Sequence, residues 1–247
     1  ICVDLTTANL YRMEKGMPSS TTENFYEEAC GPIPIRLDPL LTPQQNAAKF
    51  YKRYNKTKTA ERYLAEQLTK GRGELSYLES VLEEIGRAES EQDFMEIRSE
   101  LRQAGYLRRQ SGERKEMKRP ASRPREFRSS AGMRILVGRN NRQNDALTTK
   151  EADRRDLWFH TQKIHGSHVI LCTQGREPDR QSMMEAAMLA AWFSQASGGQ
   201  NVPVDYTPVK FVKKPAGAQP GMVVYETYQT VYVTPEETLA KKLEVRR

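Results

Sequence analysis

Two hydrophobic periods divide this chain. Between residues 42 and 104 the 3-4 spacing runs through Ala47, Phe50, Tyr54, Thr57, Glu61, Leu64, Leu68, Gly71, Leu75, Leu78, Leu82 and Ile85. A pattern sustained this long predicts a helix of about 65–70 Å with a seam for a partner helix. Thr42, Pro43 and Gln45 supply its start as capping hydroxyl, first-turn proline and capping-box glutamine. Ser90 with Asp93 signals a second start, and Phe94, Ile97, Leu101 and Ala104 continue the spacing. Residues 42–107 are therefore expected to form a coiled-coil helical hairpin. Its return arm is much the shorter, so the distal seam needs the helix suggested by "DLTTANLYRME" or residues further upstream. Gly71 and Gly73 weaken the helix by about 1 kcal/mol each relative to alanine and predict a local bend.

From Met133 onward the period falls to two. "MRILVGRN", "DLWFHT", "SHVILCT", "VDYTPVKFVKK", "GMVVYETY" and "TVYVTP" are short β-type runs parted by Gly, Pro and Asn. Thr148 with Glu151 caps a short helix among them. Ser182 with Glu185 opens a longer one, "SMMEAAMLAAWFSQAS", which Gly198-Gly199 ends. Helices on one side of a mainly antiparallel sheet make residues 132–247 an α+β domain. The proline-punctuated "CGPIPIRLDPLLTP" reads as an extended connector rather than a core strand, closing an N-terminal portion of residues 1–41.

Charge adds a second division. The chain of 247 residues carries net charge +7. Residues 1–107 hold 14 basic and 17 acidic side chains, residues 108–131 hold 9 and 3, and residues 132–247 hold 16 and 12. Residues 108–131, without apolar periodicity, read as a basic linker. Such a distribution suits a polyanionic partner, because Lys and Arg on phosphates release condensed counterions; a solvated linker is the blander explanation. No run approaches the roughly 18 apolar residues of a membrane span, so no membrane partner is expected. The N-terminus begins at Ile1 with no signal-peptide pattern, which suggests a cut through a longer protein. Cys2, Cys30 and Cys172 lack metal-ligand spacing and suit reduced thiols in the cytoplasm.

The candidate chemistry gathers in "DLWFHTQKIHGSHVIL", which holds all 3 histidines. In a strand Leu157 and Phe159 face one way, Trp158 and His160 the other. Trp158 is a candidate platform for an RNA base, or packs beneath a helix; His160 and His168 are candidate hydrogen-bonding contacts. A metal centre of His160, His165, His168 and Cys172 has the wrong spacing, and Ser167 and Cys172 lack a nucleophile's surroundings. No phosphate-loop or dinucleotide fingerprint is present, so no cofactor and no enzymatic activity are expected. In "GRNNRQND", Arg139, Asn140, Asn141 and Arg142 can contact phosphates, 2′-hydroxyls and base edges, or can serve a turn. Lys210, Lys213 and Lys214 form a phosphate track or a protective strand edge, and Gly217 and Gly221 read as turn residues.

"VGRNNRQNDALT", "DLWFHTQKIHGSHVIL", "AAMLAAWFSQAS", "VPVDYTPVKFVKKPAGAQPGMVVY" and "TVYVTP", in that order, resemble the NFACT-R domain of the RqcH/NEMF family of ribosome quality-control factors. "LTTANLYRMEKG", "ENFYEE", "IPIRLDPLLTPQQNAAKFYKRYNKTKTA" and "FMEIRSELRQAGYLRR" resemble the end of that family's N-terminal region and its coiled-coil middle domain. The resemblance implies an RNA-binding factor that binds large ribosomal subunits carrying peptidyl-tRNA. It further implies recruitment of alanyl-tRNA for C-terminal alanine tailing, with peptide transfer left to the ribosome. Two departures stand out. Most of the family's N-terminal tRNA-reading part is absent, and His165 stands where the family commonly has proline. Members are also called fibronectin-binding proteins, which makes a fibronectin-binding surface adhesin the alternative function, with fibronectin as its partner.

Overall fold

The computed structural model describes residues 2–26, 31–108 and 122–245. Cys30 and residues 109–121, the bulk of the predicted basic linker, lie outside them. The chain divides into two compact units, Ile1–Gly73 and Glu74–Arg247, and the division falls within the long helix.

In the first unit, helix α1 (Cys2–Ala8) and a 3-10 turn (Leu10–Arg12) precede an antiparallel pair, β1 (Ser19–Glu23) and β2 (Pro32–Arg36). The connector therefore contains a paired strand, a correction to the sequence reading. Its two prolines fit because Ile33 and Ile35 alternate with them, and Ile35 packs inward with Leu5, Met13 and Leu37. Helix α2 (Pro43–Arg87) starts as predicted, with reciprocal bonds between Thr42 and Gln45. Asn46 fastens the preceding turn by accepting the Asp38 amide at 2.8 Å and donating to the Asp38 carbonyl at 3.1 Å.

The second unit holds the end of α2, the return helix α3 (Glu91–Gln103) and the sheet domain. Ser90 and Asp93 form the predicted capping box. The seam is not the predicted one. Tyr77, Val81 and Ile97 are its buried core, whereas Leu75 and Leu82 are 57% and 69% exposed. Tyr77, Val81, Glu84 and Ala88 also follow 3-4 spacing, and hydrophobicity alone favoured the neighbouring leucine stripe. The Tyr77 hydroxyl, donating to Glu100 Oε1 at 2.8 Å, makes the tyrosine stripe the better inward face.

The sheet has six strands in the order β10-β7-β5-β6-β4-β3, every neighbour antiparallel. The strands are β3 (Arg125–Arg128), β4 (Arg134–Val137), β5 (Leu157–Thr161), β6 (Val169–Cys172), β7 (Val202–Pro208) and β10 (Gln229–Val233). A separate ribbon pairs β8 (Val212–Lys213) with β9 (Val224–Tyr225). Strand β3 lies inside the predicted basic linker. Its single apolar side chain, Phe127, reaches the core while arginines flank it.

Helix α5 (Arg180–Trp192) covers one face of the sheet, placing Ala186, Ala187, Leu189 and Ala190 on Phe159, Val169 and Val204. Its alanines let the helix lie close. It begins one turn earlier than Ser182, because the Asp179 carboxylate accepts the Ser182 amide at 2.8 Å, and it stops at Phe193 rather than at the glycine pair. A short helix, α6 (Glu237–Leu243), adds Ala240 and Leu243 to the same core. On the other face Trp158 and Ile170 meet Leu147 and Val209. The result is the α+β arrangement expected, with both sheet faces covered.

Candidate nucleic-acid interface

The "RNNR" segment leaves β4 and becomes the start of helix α4 (Asn141–Ala146), which runs into a π-helical turn, Leu147–Glu151. The predicted short helix thus begins at Asn140 rather than Thr148. Asn140 is its cap, accepting the Gln143 amide at 2.9 Å. The same side chain donates to Glu96 Oε2 at 2.8 Å. Arg139 pairs with Asp93 at 3.6 Å, Asn141 Nδ2 donates to Ser80 Oγ at 2.9 Å, and Arg142 bonds Gln103 Oε1. All four predicted contacts are therefore engaged by the helical hairpin, and both asparagines are buried.

Glu96 is the centre of this junction. Ser122 adds its amide at 2.6 Å and its hydroxyl at 2.8 Å, and Gln143 donates from Nε2 at 3.4 Å. Burial opposes the charge on Glu96, but donors from Ser122, Gln92 and Asn140 outweigh it and hold the carboxyl below its ordinary range. The hairpin end is fastened again by Arg87, whose guanidinium donates to Ser167 Oγ at 3.2 Å and to the Phe193 carbonyl.

Trp158 cannot serve as a platform for an RNA base. It is fully buried, stacked on His160 with ring centres 5.5 Å apart and 9° between planes, and edged by Tyr225 at 4.8 Å. Leu147 and Val209 cover it, so the packing alternative holds. His168 is also buried, its Nδ1 sharing a 2.7 Å hydrogen bond with Thr148 Oγ1. Burial lowers the His160 pKa to about 4 and, with His160 nearby, that of His168 to about 3, so both rings are neutral at physiological pH. Both His160 and His168 line a cavity rather than the open surface.

Among the described residues, no group of three or more His, Cys, Asp or Glu is arranged to hold a metal. Among the described residues Ser167 Oγ accepts from Arg87 and hydrogen-bonds no base, while burial raises the Cys172 thiol to about 11. No described helix is long and apolar enough to cross a membrane. Gly221, at φ +76°, is more than a turn residue: a Cβ there would meet Asn141 Oδ1 at 2.7 Å.

The lysines differ in availability. Lys214 is paired with Asp145 at 2.7 Å. Lys210 and Lys213 are exposed, with Lys210 held over the Phe211 ring at 4.9 Å. The Lys210 amide donates to the Arg154 carbonyl at 3.1 Å, which brings Arg154 and Arg155 alongside. Both arginines are exposed, and Gly175 leaves room for the Arg155 guanidinium. Sequence reasoning missed this pair. The signal was "ADRRD", two arginines at the mouth of the tryptophan strand, hidden by the acidic residues on either side.

Residues 1–120 match the NFACT N-terminal and middle domains, and residues 123–227 match the NFACT protein RNA binding domain. The chain belongs to the NFACT family. The Rqc2 homolog RqcH of Bacillus subtilis (strain 168) is 42% identical over 243 residues, covering 97% of this chain and 42% of that protein. The Rqc2 homolog RqcH of Streptococcus suis (strain 05ZYH33) is 37% identical over 243 residues, covering 98% and 43%. This NFACT chain thus spans about two fifths of these relatives. The C-terminal part of the fibronectin/fibrinogen-binding protein from Streptococcus suis has the same fold, with TM-score 0.75 and 39% identity over 82% of this chain and 80% of that one. Within the family's RNA-binding domain, Arg154, Arg155, Lys210 and Lys213 are exposed, with Arg155 beside Asp153 at 3.2 Å, and the "RNNR" segment faces the hairpin.

Proposed function

We propose that this NFACT chain is the RNA-holding part of a ribosome quality-control factor working in the cytoplasm. It binds the large ribosomal subunit carrying peptidyl-tRNA and supports recruitment of alanyl-tRNA for C-terminal alanine tailing. Its own role is that of a binding organiser without catalysis. The observation that carries this is the exposed border of Arg154, Arg155, Lys210 and Lys213 on the domain that matches the family's RNA-binding module. Guanidinium forks and ammonium groups of this kind hold phosphates through counterion release and fix register without reading sequence. The fastened junction behind it supplies rigidity, which reduces the ordering cost of binding an RNA surface.

The test is recovery of large ribosomal subunits by this chain and by a variant with Arg154, Arg155, Lys210 and Lys213 changed to alanine. The parent should retain subunits at low salt and release them steeply as salt rises, while the variant recovers few. Equal recovery, with equal melting temperatures, would remove this border as the determinant. The binding named for the Streptococcus suis neighbour gives fibronectin as a second reading, and RNase-treated protein retained on immobilised fibronectin would favour it.

A further inference from the structure

Where α2, α4 and the turn after β5 meet lies a cavity of about 400 Å3, within the roughly 300–1,000 Å3 range of small-ligand sites. Its walls include Ser76, Ser80, Asn144, Trp158, His160 and Tyr225, with Lys163 and His165 at the rim. Two features distinguish it from a solvent-filled crease.

The first is a buried donor. Trp158 is fully buried, and its indole Nε1–H has no acceptor among the described residues. Asn144, only 3% exposed, gives its Oδ1 to the His168 amide at 3.0 Å. A buried donor without a partner costs desolvation energy that an acceptor-bearing occupant returns. The second feature is the wall itself. Trp158 and His160 are already stacked, and Tyr225 closes the side, its hydroxyl fixed by donating to Asp205 Oδ2 at 2.7 Å. A planar ring set against Tyr225 and His160 adds to this wall without uncovering the Trp158 ring face.

Charge narrows the class of occupant. Both histidines in the wall are neutral, so nothing inside balances a buried phosphate. The exposed Lys163 ammonium sits outside, where a phosphate would remain solvated. The Glu79 carboxylate at the rim is already opposite His165 at 3.5 Å.

The geometry points to a recognition pocket for one unstacked RNA base, held by the Trp158 donor against the aromatic wall, with its phosphate at Lys163. This rests on the RNA reading above and adds to it a base-specific seat apart from the cationic border. A flipped base in a fitted pocket, read on its edge and stacked on aromatic rings, is an established solution in single-strand recognition.

The chain has 2 tryptophans, Trp158 and Trp192, so its two indole N–H resonances are assigned by comparison with Trp158→Phe. Titration with each of the four nucleoside monophosphates should move the Trp158 resonance and leave that of Trp192 in place. A fluorescein-labelled single-stranded RNA should bind Trp158→Phe about fivefold more weakly, the worth of one neutral hydrogen bond. The same strand carrying abasic sites should bind parent and variant alike. Ser76→Phe, which fills the mouth from the helix side while leaving the interior contacts intact, should match the loss. RNA binding that leaves the Trp158 resonance unmoved, with Ser76→Phe equal to the parent, would overturn the pocket and spare the RNA reading. A Trp158 shift with mononucleotides but no RNA binding would overturn the RNA base and make this a free-nucleotide site.

Discussion

Asn140 caps α4 through Oδ1 and, through Nδ2, donates to Glu96 Oε2 at 2.8 Å, so one buried amide joins the RNA-binding domain to the return helix. Asn140→Ala removes a helix cap and a charge-assisted bond together. The expected loss is about 2 kcal/mol. Asn140→Asp keeps the cap but sets two carboxylates face to face, and should recover little of it. Urea denaturation checks both, as a fall in midpoint at unchanged slope.

Two hairpin glutamates respond to pH in opposite directions. Glu96 has its carboxyl lowered, because hydrogen bonds to the charged form outweigh the burial that opposes it. Its contribution is complete above the unfolded value, about 4.5, and drains away as pH falls below it. Burial first, then the neighbouring Glu100, pushes Glu84 well above that value, and Arg87 and the Asn141 amide offset this only in part. The folded chain therefore binds the Glu84 proton more tightly than the unfolded chain, and stability is lost as pH rises from about 4.5. Glu84→Gln should raise the melting temperature more at about pH 8 than at pH 5, while the penalty of Glu96→Gln should shrink toward pH 3. Parallel melting curves across that range would refute the assignment.

The two sets of cations should separate in salt titrations of RNA binding. Arg154 and Lys210 are exposed and near one another, whereas Arg139 and Arg142 are spent on Asp93 and Gln103. Changing Arg154 and Lys210 to alanine should lower the slope of log affinity against log salt by about 1.4, at about 0.7 per lost phosphate contact on a single strand. Changing Arg139 and Arg142 should leave that slope alone and lower the melting temperature instead. Slopes that fall equally in both variants would mean the hairpin releases the "RNNR" segment when RNA binds.

What could be read from sequence was local. The opposite facing of Trp158 and Phe159 followed from the period of a strand, and the Thr42 and Ser90 caps from residues three apart. What covers Trp158 did not, because Leu147, Val209 and Tyr225 come from separate segments. The amide-rich "RNNR" looked available because its acceptors, Asp93, Glu96 and Ser80, lie on helices more than forty residues earlier. Strand β3 was missed for a different reason. An edge strand buries one face, and in "REFR" that face is Phe127 alone, too little to register against a run of charges.

The exposed leucine stripe offers a clean trial of how the hairpin closes. Leu64, Leu68, Leu75 and Leu82 stand out from α2, each more than half exposed, while Tyr77 and Val81 are sealed against Ile97. Packing, rather than hydrophobicity along the helix, decides which stripe matters for this fold. Val81→Ala should cost about 1–2.5 kcal/mol by leaving a partly collapsed void. Tyr77→Ala should cost about 3 kcal/mol or more, because it also strips Glu100 of a buried donor. Leu75→Gln and Leu82→Gln should each stay within about 0.5 kcal/mol of the parent, as surface changes do. Denaturation midpoints measured on the four variants check the ordering. A loss at Leu82 as large as that at Val81 would mean the leucine face is covered in solution, and the seam would have to be redrawn through the stripe that the 3-4 spacing first suggested.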